Sequence, residues 1–325
     1  MERGAAHLPI GPVFIGGTGR CGTHAVAYLA AQSDRFALIP AELRVHVSER
    51  GLPRFASGER SRGWLLRGLR THWWRHRPEW DPVAVRGVHT LTSRRRYLTA
   101  LAHLAVTPPG ADRVAISRRL LSSLLNPLAP APGAWIEKSP DNCARAGLLD
   151  SIFPRLRLIH VVRDGRDVAC SFMRVPWAPD DFAGALAVWE RRLLDAHRGT
   201  LELPAGQVHR VRLEDLTLHD RDRSYGALVA FLGIADAPAL RFFFDRELTP
   251  WRARIGRWLS DLPRAEHERA QDLYRASLRR LDQAGVWPLP ADPALPAEPP
   301  AVAELPLRSH SPSQIDPWAS RTAAA

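Results

Sequence analysis

Three residue types are scarce in this chain. Its 325 residues include three cysteines (Cys21, Cys143 and Cys170), two methionines and a single lysine, Lys138. Three cysteines without disulfide or metal-ligand spacing exclude a disulfide-rich scaffold and a cysteine zinc site, and they favour a reducing compartment. No stretch approaches 18 uninterrupted apolar residues, and the first residues lack a signal-peptide pattern. We therefore expect a cytoplasmic protein without stable membrane insertion.

The scarcity of lysine contrasts with an abundance of arginine. Lysine and arginine together number 45, against 34 acidic residues, which gives a net charge of +11. Such a charge attracts anions, so a nucleic acid, an anionic membrane surface and an anionic small molecule are all open as partners. Because the arginines are spread evenly and no reading motif is present, we expect no nucleic-acid partner. Lys138 stands out, because a drift toward arginine would spare a lysine whose chemistry needs a compact ammonium.

Short apolar segments alternate with amphipathic ones along most of the chain. Strands are expected at residues 12–15, 35–39, 83–88, 134–137, 156–162 and 207–212. Helices are expected at residues 23–32, 59–80, 94–106, 113–125, 142–152, 165–173, 181–201, 222–232 and 264–284. This alternation predicts an α/β fold, a parallel sheet with helices on both faces, in one domain over residues 1–287. Residues 288–325 are rich in Pro and Ala without periodicity, which predicts a disordered tail.

A glycine-rich loop, GGTGRCGTH over residues 16–24, follows the first expected strand. Such a loop aims backbone N–H groups and a helix N-terminus at one point, which is a phosphate site and makes the sheet P-loop-like. A tight turn that needs glycine explains a lone cluster equally well. Gly17 and Gly22 have P-loop spacing, but Thr23 and His24 replace the lysine and hydroxyl residue that bind phosphate and magnesium. A phosphotransferase that uses the loop atypically stays open as an alternative.

The arginine in this loop carries a resemblance to a known family. The loop resembles the 5′-phosphosulfate loop G-x-x-R-[ST]-G-[ST] of sulfotransferases that use PAPS (3′-phosphoadenosine 5′-phosphosulfate). Gly17, Arg20, Gly22 and Thr23 match this pattern, and Cys21 departs from it. The resemblance implies a sulfotransferase that binds PAPS through the residues Gly17, Thr18, Gly19, Arg20, Cys21, Gly22, Thr23 and His24.

A second motif begins after the strand expected at residues 156–162. The run RDGRDVACS, from Arg163 to Ser171, resembles the family's 3′-phosphate motif R-D-x-R-D-x-x-x-S. The resemblance implies that Arg163 and Ser171 hold the 3′-phosphate of PAPS. A charged helix start with an ion pair between Arg163 and Asp167 is the simpler explanation of the run taken alone. Two anion sites at the ends of neighbouring parallel strands suit a donor with phosphates at two ends.

Further segments extend the resemblance over residues 13 to 287. WIEKSPDN, residues 135–142, resembles a segment whose lysine approaches the transferring group, and the resemblance assigns leaving-group stabilisation to Arg20 and Lys138. LEDL at 213–216 with FLGI at 231–234, and RIGRW at 254–258, resemble later family segments. The last of these implies donor contacts by Arg254, Gly256 and Arg257. The mechanism requires no metal, and none is expected.

The acceptor side is less defined. The resemblance to the tyrosine-directed and glycan branches implies Glu42 as general base, oriented by Arg44, with His89 as the second candidate. We expect in-line transfer to a hydroxyl or an amine of a small molecule, glycan, lipid or peptide, and we expect the acceptor pocket in residues 50–130. Trp64, Trp73, Trp74 and Trp80 either line that pocket or face the core. A non-enzymatic nucleic-acid-binding protein is the other rival, and the sequence gives no oligomeric state.

Overall fold

The computed structural model describes residues 11–75, 87–108 and 110–291. Their strands form one parallel sheet in the order β2-β3-β1-β4-β5. The strands are β1 (Val13–Gly17), β2 (Ala37–Leu38), β3 (Trp135–Lys138), β4 (Arg157–Val162) and β5 (Val208–Arg212). All five residues of the central strand β1 are buried. A strand covered on both faces needs apolar or small residues throughout, and VFIGG provides them.

The described α-helices are numbered in chain order. They are α1 (Thr23–Ala30), α2 (Leu52–Ala56), α3 (Arg62–Gly68), α4 (Arg94–Val106), α5 (Arg113–Leu125), α6 (Ala146–Ile152), α7 (Gly165–Phe172), α8 (Phe182–Thr200), α9 (Arg221–Leu232), α10 (Pro238–Glu247), α11 (Pro250–Ala253), α12 (Trp258–Asp261) and α13 (His267–Gln283). None of the helices in the described ranges is long and apolar enough to cross a membrane.

The sheet separates two hydrophobic cores. Along β1, Val13 and Ile15 enter one core and Phe14 enters the other, because successive strand residues point to opposite faces. Helices α1, α7, α9, α10 and α13 contribute to the first core, and α2 to α6 contribute to the second. Helix α8 contributes to both, through Trp189 on one side and Ala196 on the other. The predicted α/β fold with helices on both faces is confirmed.

Several predicted elements differ from the structure. The strand prediction for 83–88 is wrong at its end, where Val88 starts a 3₁₀ turn (Val88–Thr90), and residues 83–86 lie outside the described residues. The helix predicted from residue 59 begins at Arg62, because the side chain of Ser61 caps it by accepting the Trp64 N–H, and it continues as a π-helical turn (Leu69–Trp73). Residues 76–80, including Trp80, lie outside the described part.

Helices α10, α11 and α12 were not predicted. Helix α10 begins at a proline, a favourable first helical residue, but its three consecutive phenylalanines hide the amphipathic period. Of these, Phe244 is buried and Phe242 is exposed. The helix predicted at 142–152 is split, since a 3₁₀ turn (Pro140–Arg145) precedes α6. Residues 292–325, most of the predicted tail, lie outside the described residues.

Candidate active site

Three of the predicted motifs meet at the carboxyl edge of the sheet. Strands β3, β1 and β4 are neighbours, with Ile15 beside Lys138 of β3 and Gly17 beside Val161 of β4. In a parallel sheet the carboxyl ends of neighbouring strands lie at one edge, where ligands of α/β proteins bind. Lys138, the glycine-rich loop and Arg163 therefore come together, although Lys138 and Arg163 lie far from the loop in sequence.

The glycine-rich loop is a close-packed turn from β1 into α1. A Cβ atom at Gly16 would lie 2.7 Å from the backbone nitrogen of Cys143, so only glycine fits there. Gly22 has a φ of 95° and forms the N-cap of α1, a left-handed conformation that glycine adopts at little cost. Thr18, Cys21 and Thr23 are buried. The loop thus has the backbone form of an anion cradle at a helix N-terminus.

Arg20 is an exposed residue in the middle of this loop. Its φ is 57°, a left-handed conformation that is unusual outside glycine and concentrates at functional sites. Its Nε donates a hydrogen bond of 2.9 Å to the Oγ of Ser171 in α7. The two predicted anion sites are therefore joined through a single side chain.

Lys138 lies between two partners from different segments. Its Nζ is 2.9 Å from Oε1 of Glu42 and 2.7 Å from Nε2 of His24, the second residue of α1. Lys138 and Glu42 are both 7% exposed. An ammonium has three protons to donate, and these two contacts use two of them. The geometry brings together the predicted base and the predicted leaving-group cation.

The electrostatics of this cluster keep its groups in defined states. Burial raises the pKa of Glu42 above that of an ordinary glutamate, while the charge and hydrogen bond of Lys138 act in the opposite direction. Burial of the imidazole ring lowers the pKa of His24, and the nearby charges of Lys138 and Arg20 lower it further, to about 4. His24 is therefore neutral near pH 7, and in the tautomer with its proton on Nδ1 its Nε2 accepts a hydrogen bond from the Lys138 ammonium.

Arg163 connects the second motif to the late loop. Its Nη2 is 3.1 Å from Oδ2 of Asp167 and donates 2.7 Å hydrogen bonds to the carbonyls of Ala253 and Arg254. Asp167 in turn accepts the backbone N–H groups of Gly256 (2.9 Å) and Trp258 (3.2 Å). The ion pair offered as the simpler explanation of this run is present. Through these bonds Arg163 and Asp167 also hold residues 254–258 against the start of α7.

The model of the sulfotransferase family matches residues 12–238, which is more than half of the chain. The chain belongs to the sulfotransferase family. No curated protein is similar enough in sequence to count as a relative of this sulfotransferase.

Solved structures were compared as well. The sulfotransferase domain of the Synechococcus PCC 7002 olefin synthase is 20% identical, with 85% of this chain and 98% of that chain covered and a TM-score of 0.48. The sulfotransferase from Alicyclobacillus acidocaldarius is 14% identical (87% and 98% covered, TM-score 0.46). Retinol dehydratase, solved with androsterone and the inactive cofactor PAP, is 14% identical (83% and 82% covered, TM-score 0.38). Family membership of the present chain rests on the family model.

The other predicted site residues of the sulfotransferase lie at different distances from this cluster. Arg254 and Arg257 both approach the carboxylate of Asp261, with closest atoms 3.4 Å and 2.6 Å apart, and Arg254 is left-handed with a φ of 54°. His89 bonds the carbonyl of Trp74 through Nδ1 at 2.9 Å. Within the described chain, no contact of His89 reaches the Lys138 cluster.

The tryptophans of the region 59–75 pack inward. Trp73 is buried in the second core, and Trp64 and Trp74 are partly buried against it. Trp74 also stacks on Tyr97 with ring centroids 4.7 Å apart. Of the two alternatives, Trp64 and Trp74 favour the core, whereas Trp73 packs in the core and also lines a cavity of about 800 Å³.

Two residues at this edge of the sheet were not predicted from the sequence. Arg192 of α8 donates to the carbonyl of Thr18 at 3.1 Å, while its guanidinium lies 5.4 Å from the ring centre of Trp177. Nothing in the ordinary amphipathic pattern of α8 marks it. The fully buried Glu137 precedes Lys138 in β3. A carboxylate inside an apolar strand was the one available signal, because buried acids need partners.

Proposed function

We propose that this sulfotransferase transfers a sulfuryl group from PAPS to a hydroxyl of a polar acceptor, with Glu42 as general base. The observation that carries the proposal is the buried contact of 2.9 Å between Lys138 and Glu42 beside the glycine-rich loop. Removal of the acceptor proton requires a carboxylate of raised pKa, and Glu42 is one. Stabilisation of the leaving group requires a cation with a free proton, and Lys138 provides it at the same place. His89 is disfavoured because its contacts lie elsewhere.

The residues at the sheet edge fit PAPS. The loop has the backbone form of an anion cradle at the N-terminus of α1, and Nε of Arg163 is buried without a hydrogen-bond partner among the described residues. Among the described residues, the side chain of Arg20 forms a hydrogen bond only through Nε, so its two terminal amino groups are available to bind an anion. The loop residues Gly17 to His24 with Arg20 would hold the phosphosulfate end, and Arg163 with Ser171 the 3′-phosphate. Arg254, Gly256 and Arg257 would cover the nucleotide.

The chain's own groups then have separate tasks. When bound, PAPS provides the sulfuryl group on a phosphate leaving group. Glu42 accepts the proton of the acceptor hydroxyl, and a well-placed base contributes ~10²–10⁴-fold in rate. Lys138 holds Glu42 with one ammonium proton and His24 with another, and offers the third toward the leaving oxygen. Arg20 adds a second cation at the same place.

Calorimetry separates this proposal from its rivals. PAP (3′,5′-adenosine bisphosphate) is expected to bind at least ~10-fold more tightly than ATP with magnesium, because a hydrogen bond to a charged group contributes about 1.5–3 kcal/mol and ATP lacks the 3′-phosphate. Arg163→Ala should abolish that preference. Preference for ATP with magnesium would support a phosphotransferase, and tight, steeply salt-dependent binding of duplex DNA would support a nucleic-acid protein.

The base assignment has its own test. Glu42→Gln should keep PAP affinity and lose transfer of ³⁵S from labelled PAPS to the best member of a panel of phenols, sugars and hydroxylated peptides. In the unaltered enzyme kcat should fall as the pH is lowered through the raised pKa of Glu42. Since Lys138 lowers that pKa, Lys138→Met should move the inflection to higher pH. Unchanged turnover in Glu42→Gln would exclude Glu42 as the base.

A cavity of about 800 Å³ supports a polar acceptor. Its lining includes Arg44, two residues after Glu42 in the sequence, and Asp141, three residues after Lys138. The side chains of Arg44 and Asp141 are 3.6 Å apart. Farther along, charged side chains of both signs line it, among them Glu49, Arg145 and Arg198. Such walls suit hydroxyl compounds rich in hydrogen-bonding groups, such as glycans or peptides, better than a lipid.

A further inference from the structure

A fully buried carboxylate lies behind the Lys138 cluster. Glu137 is 0% exposed and precedes Lys138 in β3, so the two side chains point to opposite faces of the strand. A buried charge is costly unless hydrogen bonds satisfy it. The partners of Glu137 therefore indicate what its charge is used for.

Both oxygens of Glu137 have two partners. Oε1 accepts the backbone N–H of Leu43 at 3.0 Å and the hydroxyl of Ser139 at 2.8 Å. Oε2 accepts the amide of Asn142 at 2.8 Å and lies 3.1 Å from Nε2 of His46. Burial disfavours the charged form, but His46, Asn142 and Ser139 outweigh it and hold the pKa of Glu137 below its usual value. Glu137 is an ionised, saturated hydrogen-bond acceptor.

Two of these partners belong to the segment that carries the proposed base. Leu43 directly follows Glu42, and His46 lies three residues farther on. Between them Arg44 has a φ of 52°, a left-handed conformation costing ~1–3 kcal/mol that persists only when its surroundings enforce it. On one side of this strained residue Glu137 accepts the Leu43 N–H, and on the other side Nε2 of His46 lies between Oε2 of Glu137 (3.1 Å) and Oδ1 of Asn142 (2.8 Å).

We propose that Glu137 is a positioning residue for Glu42. By binding the Leu43 N–H and His46, it fixes the segment 42–46 in the conformation that places the Glu42 carboxylate on the Lys138 ammonium. The inference rests on the proposed function insofar as Glu42 is the base. The geometric claim, that Glu137 maintains the contact between Glu42 and Lys138, is independent of catalysis.

The single lysine allows a direct measurement of that contact. When the protein is labelled with ¹³C,¹⁵N-lysine, the NMR spectrum contains a single lysine side-chain amino signal, that of Lys138. Glu42→Gln defines the signal without the ion pair and removes the acid-side titration step that Glu42 causes. Glu137→Gln is expected to move the signal toward the Glu42→Gln position and to shrink that step. Glu214→Gln alters an equally buried carboxylate on the segment after β5 and should leave the signal in place.

Affinity and kinetics complete the test. Glu137→Gln should lower kcat by ~10-fold or more, as expected for a displaced base, with PAP affinity unchanged by calorimetry. If Glu137→Gln does not fold, His46→Phe removes one anchor and is expected to shift the lysine signal part of the way. A lysine signal at its original position in folded Glu137→Gln or His46→Phe overturns the proposal.

The two proposals fail in different ways. An unmoved lysine signal in Glu137→Gln, with transfer lost in Glu42→Gln, removes the positioning role and leaves the proposed function intact. A displaced signal in Glu137→Gln, with transfer retained in Glu42→Gln, supports the geometric claim and removes Glu42 as the base.

Discussion

The Nε of Arg20 donates a hydrogen bond of 2.9 Å to the Oγ of Ser171, across 151 residues of chain. The contact joins the glycine-rich loop after β1 to helix α7 after β4. A nucleotide that carries phosphates at both ends would meet one continuous set of donors there. The role of Ser171 can be separated from that of Arg163, because Arg163 also supports the carbonyls of Ala253 and Arg254.

Replacing Ser171 tests the 3′-phosphate site most cleanly. Ser171→Ala should weaken PAP by about 10-fold, since a hydrogen bond to a charged group contributes ~1.5–3 kcal/mol. The affinity for AMP, which has no 3′-phosphate, should change much less. Calorimetric titration of both ligands measures the difference, and Ser123→Ala on α5 is the matched control. An equal loss for PAP and AMP would assign Ser171 to the loop and not to the 3′-phosphate.

The left-handed backbone of Arg20 should affect stability and its side chain should affect PAPS binding, so two substitutions can separate these effects. Arg20→Ala removes the side chain but keeps a non-glycine residue at a φ of 57°, whereas Arg20→Gly also relieves the conformation. A left-handed backbone costs ~1–2 kcal/mol per non-glycine residue, and part of this is offset by the extra freedom of glycine in the unfolded chain. Arg20→Gly should therefore unfold at higher urea than Arg20→Ala. Both should lose affinity for PAPS to a similar extent.

That comparison has a clear negative outcome. If the two variants unfold at the same urea concentration, the left-handed backbone of Arg20 carries no strain. If Arg20→Ala binds PAPS as tightly as the unaltered protein, the guanidinium does not contact the donor.

The sequence predicted the parts of this site that depend on local pattern. The glycine-rich loop and the run from Arg163 to Ser171 follow apolar strands, so their place at the carboxyl edge could be inferred from the alternation of strands and helices. Lys138 was singled out by its rarity. The structure places it against Glu42, the residue predicted as base.

The supporting contacts could not be predicted because they depend on tertiary packing. Leu43 and His46 look like an ordinary loop, and only the fold brings them to Glu137. The same holds for Arg192, whose position against Thr18 depends on how α8 packs. The helix α10 was missed since the run of phenylalanines at 242–244 faces both core and surface.

Glu214 predicts a pH dependence of stability. It is fully buried, and burial together with the nearby charge of Asp164 raises its pKa to about 7. The protonated form is thus favoured by folding. Its stabilising contribution is complete below the pKa of the unfolded chain and is lost as the pH rises through about 7. The loss amounts to about 3 kcal/mol, at 1.36 kcal/mol per pKa unit.

The measurement is the free energy of unfolding in urea from pH 4 to 8. Glu214→Gln should flatten the decline, because the amide keeps an acceptor for the Asp164 N–H at 2.8 Å without a charge. Burial lowers the pKa of His160 to about 3, so its titration in the unfolded chain makes stability rise with pH over the lower part of this range. This contribution is common to both proteins and cancels in the difference. Glu268→Gln, at an exposed position on α13, should match the unaltered protein. Parallel curves for Glu214→Gln and the unaltered protein would contradict the assignment.

The polar cavity predicts how the acceptor is recognised. Arg198 of α8 lines it, and Arg191 on the same helix is exposed and does not. Arg198→Ala should raise the KM for a glycan or peptide acceptor several-fold, up to ~10-fold for one lost hydrogen bond to a charged group, with the KM for PAPS unchanged. Arg191→Ala should change neither constant. An effect confined to the KM for PAPS, or a preference for apolar phenols over sugars and peptides, would show that acceptors do not reach Glu42 through this cavity.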